Sequence, residues 1–126
     1  MAAQPAIVVV VDDNPGFLSS VVRLLSVHGF DTRAFNSAEA LLESDAAQAA
    51  QCLLVDIHLG GLSGIELRRR LVASGCNCPV IFMTAVDDDA KRIEAMRTGA
   101  IACLKKPFAP PLLLDAITKA TSGATR

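Results

Sequence analysis

The stretch Cys52-Leu53-Leu54-Val55-Asp56 constrains this chain more than any other. Four residues of apolar character run without a polar interruption and then stop on a carboxylate. A run this short with no alternation predicts a strand buried on both faces, as in parallel sheets. An Asp at its carboxyl end stands at the rim of the sheet, where open α/β folds place their ligands. Ile57 to Gly64 then form a glycine-rich loop that lets the backbone turn sharply and come close to a small ligand. A second apolar run, Ile7-Val8-Val9-Val10-Val11, also ends in acid, at Asp12-Asp13. Two strands that finish in aspartate imply one acidic site built from both.

Strand and helix patterns alternate five times along the chain. The first strand is expected at about 6–11, and Asn14-Pro15 then supplies a helix cap and a first helical residue. Phe17, Val21, Leu24, Leu25 and His28 recur at helical spacing up to Gly29. A short strand from Asp31 to Phe35 follows, and Ser37 opens a helix reaching about Ser44. The third strand is expected at 51–55. Ser63-Gly64-Ile65-Glu66 has the spacing of a capping box, and its helix carries Ile65, Leu67, Leu71 and Val72 as far as Gly75. Pro79 to Thr84 is the fourth strand, and Asp87-Asp88-Asp89 puts negative charge at the start of a helix that ends by Gly99. Ile101 to Leu104 is the fifth strand. Lys106-Pro107-Phe108 turns the chain, and Pro110-Pro111 begins a helix with the stripe Leu113, Ala116, Ile117 and Ala120. Such alternation with short loops predicts an α/β fold, a parallel sheet covered by helices on both faces. One domain over 1–120 accounts for the pattern, leaving 121–126 as a tail or the start of a linker.

Composition narrows the function classes. The 126 residues are 52% hydrophobic with a net charge of −1, which fits a globular domain with one core and argues against disorder. It also argues against nucleic acid as a direct partner, since such domains carry a basic excess. No apolar run reaches membrane-spanning length, and the N-terminus lacks the basic region of a signal peptide. A cytoplasmic location is therefore expected. Of the four cysteines, Cys52 and Cys103 sit in apolar runs, while Cys76 and Cys78 flank Asn77 in a turn. No second Cys/His pair stands at zinc-site spacing, so all four read as structural thiols.

The strand ends deliver a chemically specific set to one edge: Asp12 and Asp13, Asp56, Thr84 and Lys106. Three carboxylates brought together repel one another and need a cation, and oxygen-only ligands suit a hard ion such as Mg²⁺. A lysine and a threonine hydroxyl opposite them suit a phosphoryl group. The set describes phosphoryl transfer to an aspartate. Each member has a blander reading taken alone. An Asp pair after a strand is commonly a helix cap, Asp56 could cap its loop, and Thr84 could be an ordinary strand-end hydroxyl. His58 lacks a partner ligand and reads as an exposed loop residue. Asp87-Asp88-Asp89 reads as a solvated helix start.

Taken in order, Val11-Asp12-Asp13, Val55-Asp56 with Gly64 downstream, Met83-Thr84-Ala85 and Lys106-Pro107-Phe108 resemble the receiver domain of bacterial two-component response regulators, over roughly residues 5–120. The resemblance implies a flavodoxin-like doubly wound (βα)5 fold with strand order 2-1-3-4-5. It implies that Asp56 accepts a phosphoryl group from a phosphohistidine on a sensor histidine kinase. Asp13 and Asp56 would ligate Mg²⁺ directly, Asp12 largely through water, and the His58 backbone carbonyl would complete the protein ligands. Lys106 would bind a phosphoryl oxygen, with its bond to Pro107 cis. Thr84 would close onto the phosphoryl group and report it to a downstream output domain or protein. Beyond self-phosphorylation and self-dephosphorylation, no enzyme activity is implied. Whether phosphorylation drives homodimerisation is left open.

The sequence departs from the family in two places. Cys103 stands where the family has an aromatic switch residue, so signalling would rest on Thr84 and movement of the adjoining loop or helix. Gly60-Gly61 replaces a common proline after Asp56 and is expected to loosen that loop. Two other functions compete. A Mg²⁺-dependent aspartyl-phosphate hydrolase of the haloacid-dehalogenase kind would carry D-x-D after its first strand, which Asp12-Asp13-Asn14 does not match. A receiver-like module that works without phosphorylation would not need every acidic, Thr and Lys position filled. The residues after Ala120 are too few for a helix-turn-helix, so this chain is not expected to bind DNA itself.

Overall fold

The computed structural model describes residues 5–123. Five parallel strands, β1 (Ile7–Val11), β2 (Asp31–Phe35), β3 (Cys52–Asp56), β4 (Val80–Thr84) and β5 (Ala102–Lys105), form one sheet in the order β2-β1-β3-β4-β5. The helices are α1 (Pro15–Val27), α2 (Ala38–Leu42), α3 (Ala46–Ala49), α4 (Gly64–Ala73), α5 (Asp89–Arg97) and α6 (Pro110–Gly123). This is the flavodoxin-like arrangement and strand order implied by the motifs. The central strands β1, β3 and β4 are buried almost throughout, which is why they read as unbroken apolar runs.

Successive strand residues point to opposite faces, so the sheet divides the core in two. Val9, Val11, Leu53, Val55 and Phe82 pack with Ala38, Leu41, Ala47, Ile65, Leu67, Leu71 and Ala95 from α2 to α5. Val8, Val10, Cys52, Leu54, Ile81 and Met83 pack with Val21, Leu25, Leu113, Ala116 and Ile117 from α1 and α6. Each fully buried Val, Leu or Phe contributes about 1.5–3 kcal/mol relative to exposure, so these two layers dominate stability.

Local chemistry sets the helix ends. Asn14 Oδ1 accepts the Phe17 N–H at 3.0 Å, with Pro15 opening α1. Ser37, Ser63 and Asp88 cap α2, α4 and α5 by accepting the N–H three residues on. Glu66 turns to Arg69 and Arg70 at 3.8 and 3.7 Å, so the Ser63 half of the expected capping box is the half that forms. Helices α1, α4 and α5 stop at Gly29, Gly75 and Gly99, all at positive φ.

Several boundaries differ from expectation. The Ala-rich segment after Ser44 forms a separate helix, α3, whose Ala47 is buried. Four residues are too few to show a period. Strand β3 runs one residue further than expected because Asp56 still pairs with Met83 and the Ile57 N–H reaches the Met83 carbonyl at 2.9 Å. Strand β5 is likewise displaced by one, with Lys105 pairing with Thr84. Val72 is 41% exposed and lies off the core stripe, while Arg68 is buried and donates from Nη1 to the Cys78 carbonyl at 2.7 Å. Cys103 is only half-buried. Helix α6 continues three residues beyond Ala120, and residues 124–126 of the expected tail lie outside the described residues.

Leu54→Ala empties a fully buried site and is expected to cost about 2–5 kcal/mol in urea unfolding. Val27→Ser, at a side chain 77% exposed, should stay within about 0.5 kcal/mol. Equal losses at the two sites would contradict the assignment of the core. At Gly64 a Cβ would collide with the Asp56 carbonyl oxygen and lie 2.9 Å from Val55 Cγ1. Gly64→Ala should therefore destabilise by roughly 1–3 kcal/mol despite its better helix propensity.

Candidate functional site

All the chemistry-bearing residues singled out in the sequence stand at the carboxyl edge of the sheet. Asp12 and Asp13 follow β1, Asp56 ends β3, Thr84 ends β4, and Lys106 follows β5. Asp12 is fully buried, Asp56 and Thr84 are each 6% exposed, and Asp13 is open to solvent. One carboxylate oxygen from each of Asp12, Asp13 and Asp56 lies within 4.8 Å of the others.

Lys106 holds the buried pair. Its Nζ donates to Asp12 Oδ2 at 2.6 Å and to Asp56 Oδ2 at 2.8 Å. The second oxygen of each acid is also occupied. Asp12 Oδ1 accepts the Asn14 N–H at 2.9 Å, and Asp56 Oδ1 accepts the His58 N–H at 2.8 Å. The turn that aims Lys106 has a cis bond to Pro107, and its backbone N–H is tied to the Thr84 carbonyl at 2.7 Å. The ammonium also sits 4.0 Å from the centre of the Phe17 ring, and that ring meets Phe108 edge-on at 6.0 Å. A cation against an aromatic face gains electrostatic attraction, and the rings exclude water from one side of it.

These contacts set the ionisation. Burial pushes the Asp56 carboxyl above the usual range, aided by the neighbouring Asp12 charge, and outweighs the lowering by Lys106 and the His58 N–H. For Lys106, burial works against the charged form, but hydrogen bonds and charge from Asp12 and Asp56 prevail and raise it. Lys106 is therefore a fixed cation. Two carboxylates share this one ammonium and Asp13 adds a third beside them, which leaves surplus negative charge on a donor set made only of oxygens.

Thr84 stands at the same edge with its hydroxyl engaged locally. Oγ1 accepts the Val86 N–H at 3.1 Å and lies 3.2 Å from the Val86 carbonyl. Beside it, Cys103 lines a cleft with Val86, Asp87, Arg92 and Lys105, and burial raises its thiol pKa. Lys105 turns away from the acids to Asp87 at 3.4 Å. His58 is exposed, and it is its backbone that meets Asp56.

Two contributors to the site carry no signal in the sequence. Phe17 reads in the sequence as one more residue of the α1 stripe, and nothing local announces its contact with Lys106. Glu39 reads as a helix-surface residue, yet its Oε2 accepts the Leu62 N–H at 2.9 Å. The loop expected to be loosened by Gly60-Gly61 is anchored there.

Known proteins share this arrangement. A family model described as the response regulator receiver domain matches residues 8–118. Nodulation protein W of Bradyrhizobium diazoefficiens is 37% identical over 120 residues, covering 95% of this chain and 53% of that protein. The low-resolution structure of response regulator StyR superposes with a TM-score of 0.89 at 36% identity, over 98% of this chain and 62% of that one. The crystal structure of FixJ-N gives a TM-score of 0.85 at 32% identity, over 95% and 96% of the two chains. The chain spans about half the length of the curated relatives it matches. By sequence, by strand order and by the residues gathered at its carboxyl edge, the chain belongs to the receiver domains of two-component response regulators.

Proposed function

We propose that this chain is a phosphoacceptor switch in which Asp56 takes a phosphoryl group from a phosphohistidine of a sensor histidine kinase. The observation that carries this reading is the bridge from Lys106 to Asp12 and Asp56, with Asp13 alongside. A carboxylate oxygen of Asp56 attacks phosphorus, the P–N bond breaks, and its electron pair leaves with the imidazole, which takes up a proton. Lys106 meets a phosphoryl oxygen and offsets the added charge, while Thr84 exchanges Val86 for another phosphoryl oxygen. Positioning and charge neutralisation are the protein's catalytic means.

The acidic site fits a hard divalent cation, because surplus charge and an all-oxygen donor set are what such ions require. Asp13 and Asp56, with the His58 carbonyl, would hold Mg²⁺ directly and Asp12 through water. When bound, Mg²⁺ supplies charge neutralisation for the phosphoryl oxygens.

The output is a domain or protein outside this chain, in keeping with relatives of twice the length, one of which is named transcriptional regulatory protein FixJ. The exposed apolar residues Ile93 and Met96 on α5, Ile101 just before β5 and Leu112 on α6 offer a surface for that partner or for a second phosphorylated copy. The receiver unit ends with α6. Phosphoryl supply from an ATP-dependent kinase carries with it a cytoplasmic location.

Incubation with acetyl phosphate and Mg²⁺ should add one phosphoryl group by intact mass, and none with chelator or in Asp56→Asn. An adduct that persists in Asp56→Asn would refute Asp56 as the acceptor. A wild type that neither gains the adduct nor binds beryllofluoride would favour the phosphorylation-independent module.

Asp56→Asn should also raise Tm by a few degrees at pH 7 in chelator. The wild-type carboxyl binds its proton more tightly folded than unfolded, so stability falls as pH rises through its raised pKa. Asparagine keeps the shape without the buried charge. The advantage should shrink as pH drops into the carboxylate range, and a mutant less stable than wild type at pH 7 would contradict the charge analysis.

A further inference from the structure

We propose that Glu39, on α2, is a positioning residue for the phosphoacceptor site, clasping the loop that runs from Asp56 to α4. The inference rests on the reading of that site given above. Glu39 Oε2 accepts the Leu62 N–H at 2.9 Å, across 23 residues of chain. Gly61 lies directly against the same carboxylate: a Cβ there would stand 2.6 Å from Oε2, 3.1 Å from Oε1 and 3.2 Å from Cδ. Glycine at 61 leaves the space that the carboxylate fills. The pair is therefore complementary, with an acid on one element and a missing side chain plus a free N–H on the other.

The clasp acts where the loop has no other polar anchor. At its start, the Ile57 N–H reaches the Met83 carbonyl and the His58 N–H reaches Asp56 Oδ1. At its end, the Gly64 N–H reaches the Ile57 carbonyl, and Ser63 caps α4. Between them, among the described residues, the one hydrogen bond made by 59–62 is the bond from Leu62 to Glu39. This middle section lies over the acidic site, since a Cβ at Gly60 would come 3.6 Å from Asp13 Oδ2. Holding Leu62 thus restrains Gly60 beside Asp13 and the peptide that carries the His58 carbonyl. Glu39 touches none of the reacting groups. It works through the loop, as outer partners of ligating groups do.

The carboxylate suits the task. The Leu62 N–H and its own backbone N–H hold the Glu39 carboxyl below the usual range, with a smaller contribution from Arg70. Glu39 lies in the first turn of α2, where negative charge is favoured, and its exposure means that replacing it leaves the core intact.

The test compares wild type, Glu39→Ala and Glu39→Gln in two measurements. Amide hydrogen exchange in chelator should show Leu62 protected in wild type and in Glu39→Gln, whose side-chain carbonyl still accepts, and unprotected in Glu39→Ala, with β3 and β4 amides unchanged. NMR titration with Mg²⁺ should show affinity about tenfold weaker in Glu39→Ala and restored in Glu39→Gln. Unchanged Leu62 exchange in Glu39→Ala would overturn the clasp. Faster exchange with unchanged Mg²⁺ affinity would reduce Glu39 to a structural tie and overturn its positioning role. A wild type that binds no Mg²⁺ would instead sink the reading of the site, and the positioning role with it, even where exchange shows the clasp intact.

Discussion

The structure depends on one ammonium group shared by two buried carboxylates. Asp12 and Asp56 come from the ends of adjacent strands and would repel each other at this range, with Asp12 fully buried and Asp56 nearly so. Lys106 makes their closeness tolerable, and in doing so ties the carboxyl ends of β1 and β3 to the end of β5. The arrangement is costly to disrupt at the lysine, because removing the ammonium leaves two buried carboxylates uncompensated beside each other. It is also incomplete. Asp13 adds a third carboxylate and no further cation, so the resting site carries the excess charge that a divalent ion and a phosphoryl group together could balance.

The sheet delivers these groups. In a parallel sheet every strand ends at the same rim, so burying β1, β3 and β4 on both faces also sends Asp12, Asp56 and Thr84 to one edge. The helices then fix the surroundings. Helix α1 places the Phe17 ring against Lys106, α4 comes so near the end of β3 that Gly64 has no room for a side chain, and α2 reaches the loop between them through Glu39. Packing and electrostatics converge on that loop: the apolar residues Leu59 and Leu62 pack against the core on one side, and the acids lie on the other.

What could be read from the sequence is what local chemistry determines. The apolar runs of β1, β3 and β4 have no competing explanation, and Asn14-Pro15, Ser37, Ser63 and Asp88 each cap a helix by a short-range hydrogen bond. Asp12, Asp13, Asp56 and Lys106 were identifiable because strand ends in such a fold must meet. What was not readable depends on contacts between distant segments. Nothing near Glu39 signals a hydrogen bond to Leu62, and Gly60-Gly61 suggests a slack loop until the carboxylate beside Gly61 is seen. Arg68 stands at helical spacing from Ile65 and Leu71, but nothing local shows that the Cys78 carbonyl receives its guanidinium. Helix α3 is too short to carry a period, and Thr84 keeps its hydroxyl on Val86, an arrangement that no spacing encodes.

The central claim is that the three carboxylates, with one lysine among them, form a site short of positive charge. Thermal unfolding across a Mg²⁺ titration at constant ionic strength, for wild type and Asp13→Asn, tests it most directly. A folded-state site stabilises by mass action, so wild-type Tm should climb with Mg²⁺ well beyond saturation, the stabilisation amounting to about 2.7 kcal/mol at a hundredfold excess of Mg²⁺ over Kd. Asp13→Asn, which removes the exposed carboxylate and leaves the Lys106 bridge in place, should give a much flatter rise. A wild-type Tm indifferent to Mg²⁺, or an equal rise in both proteins, would contradict the account.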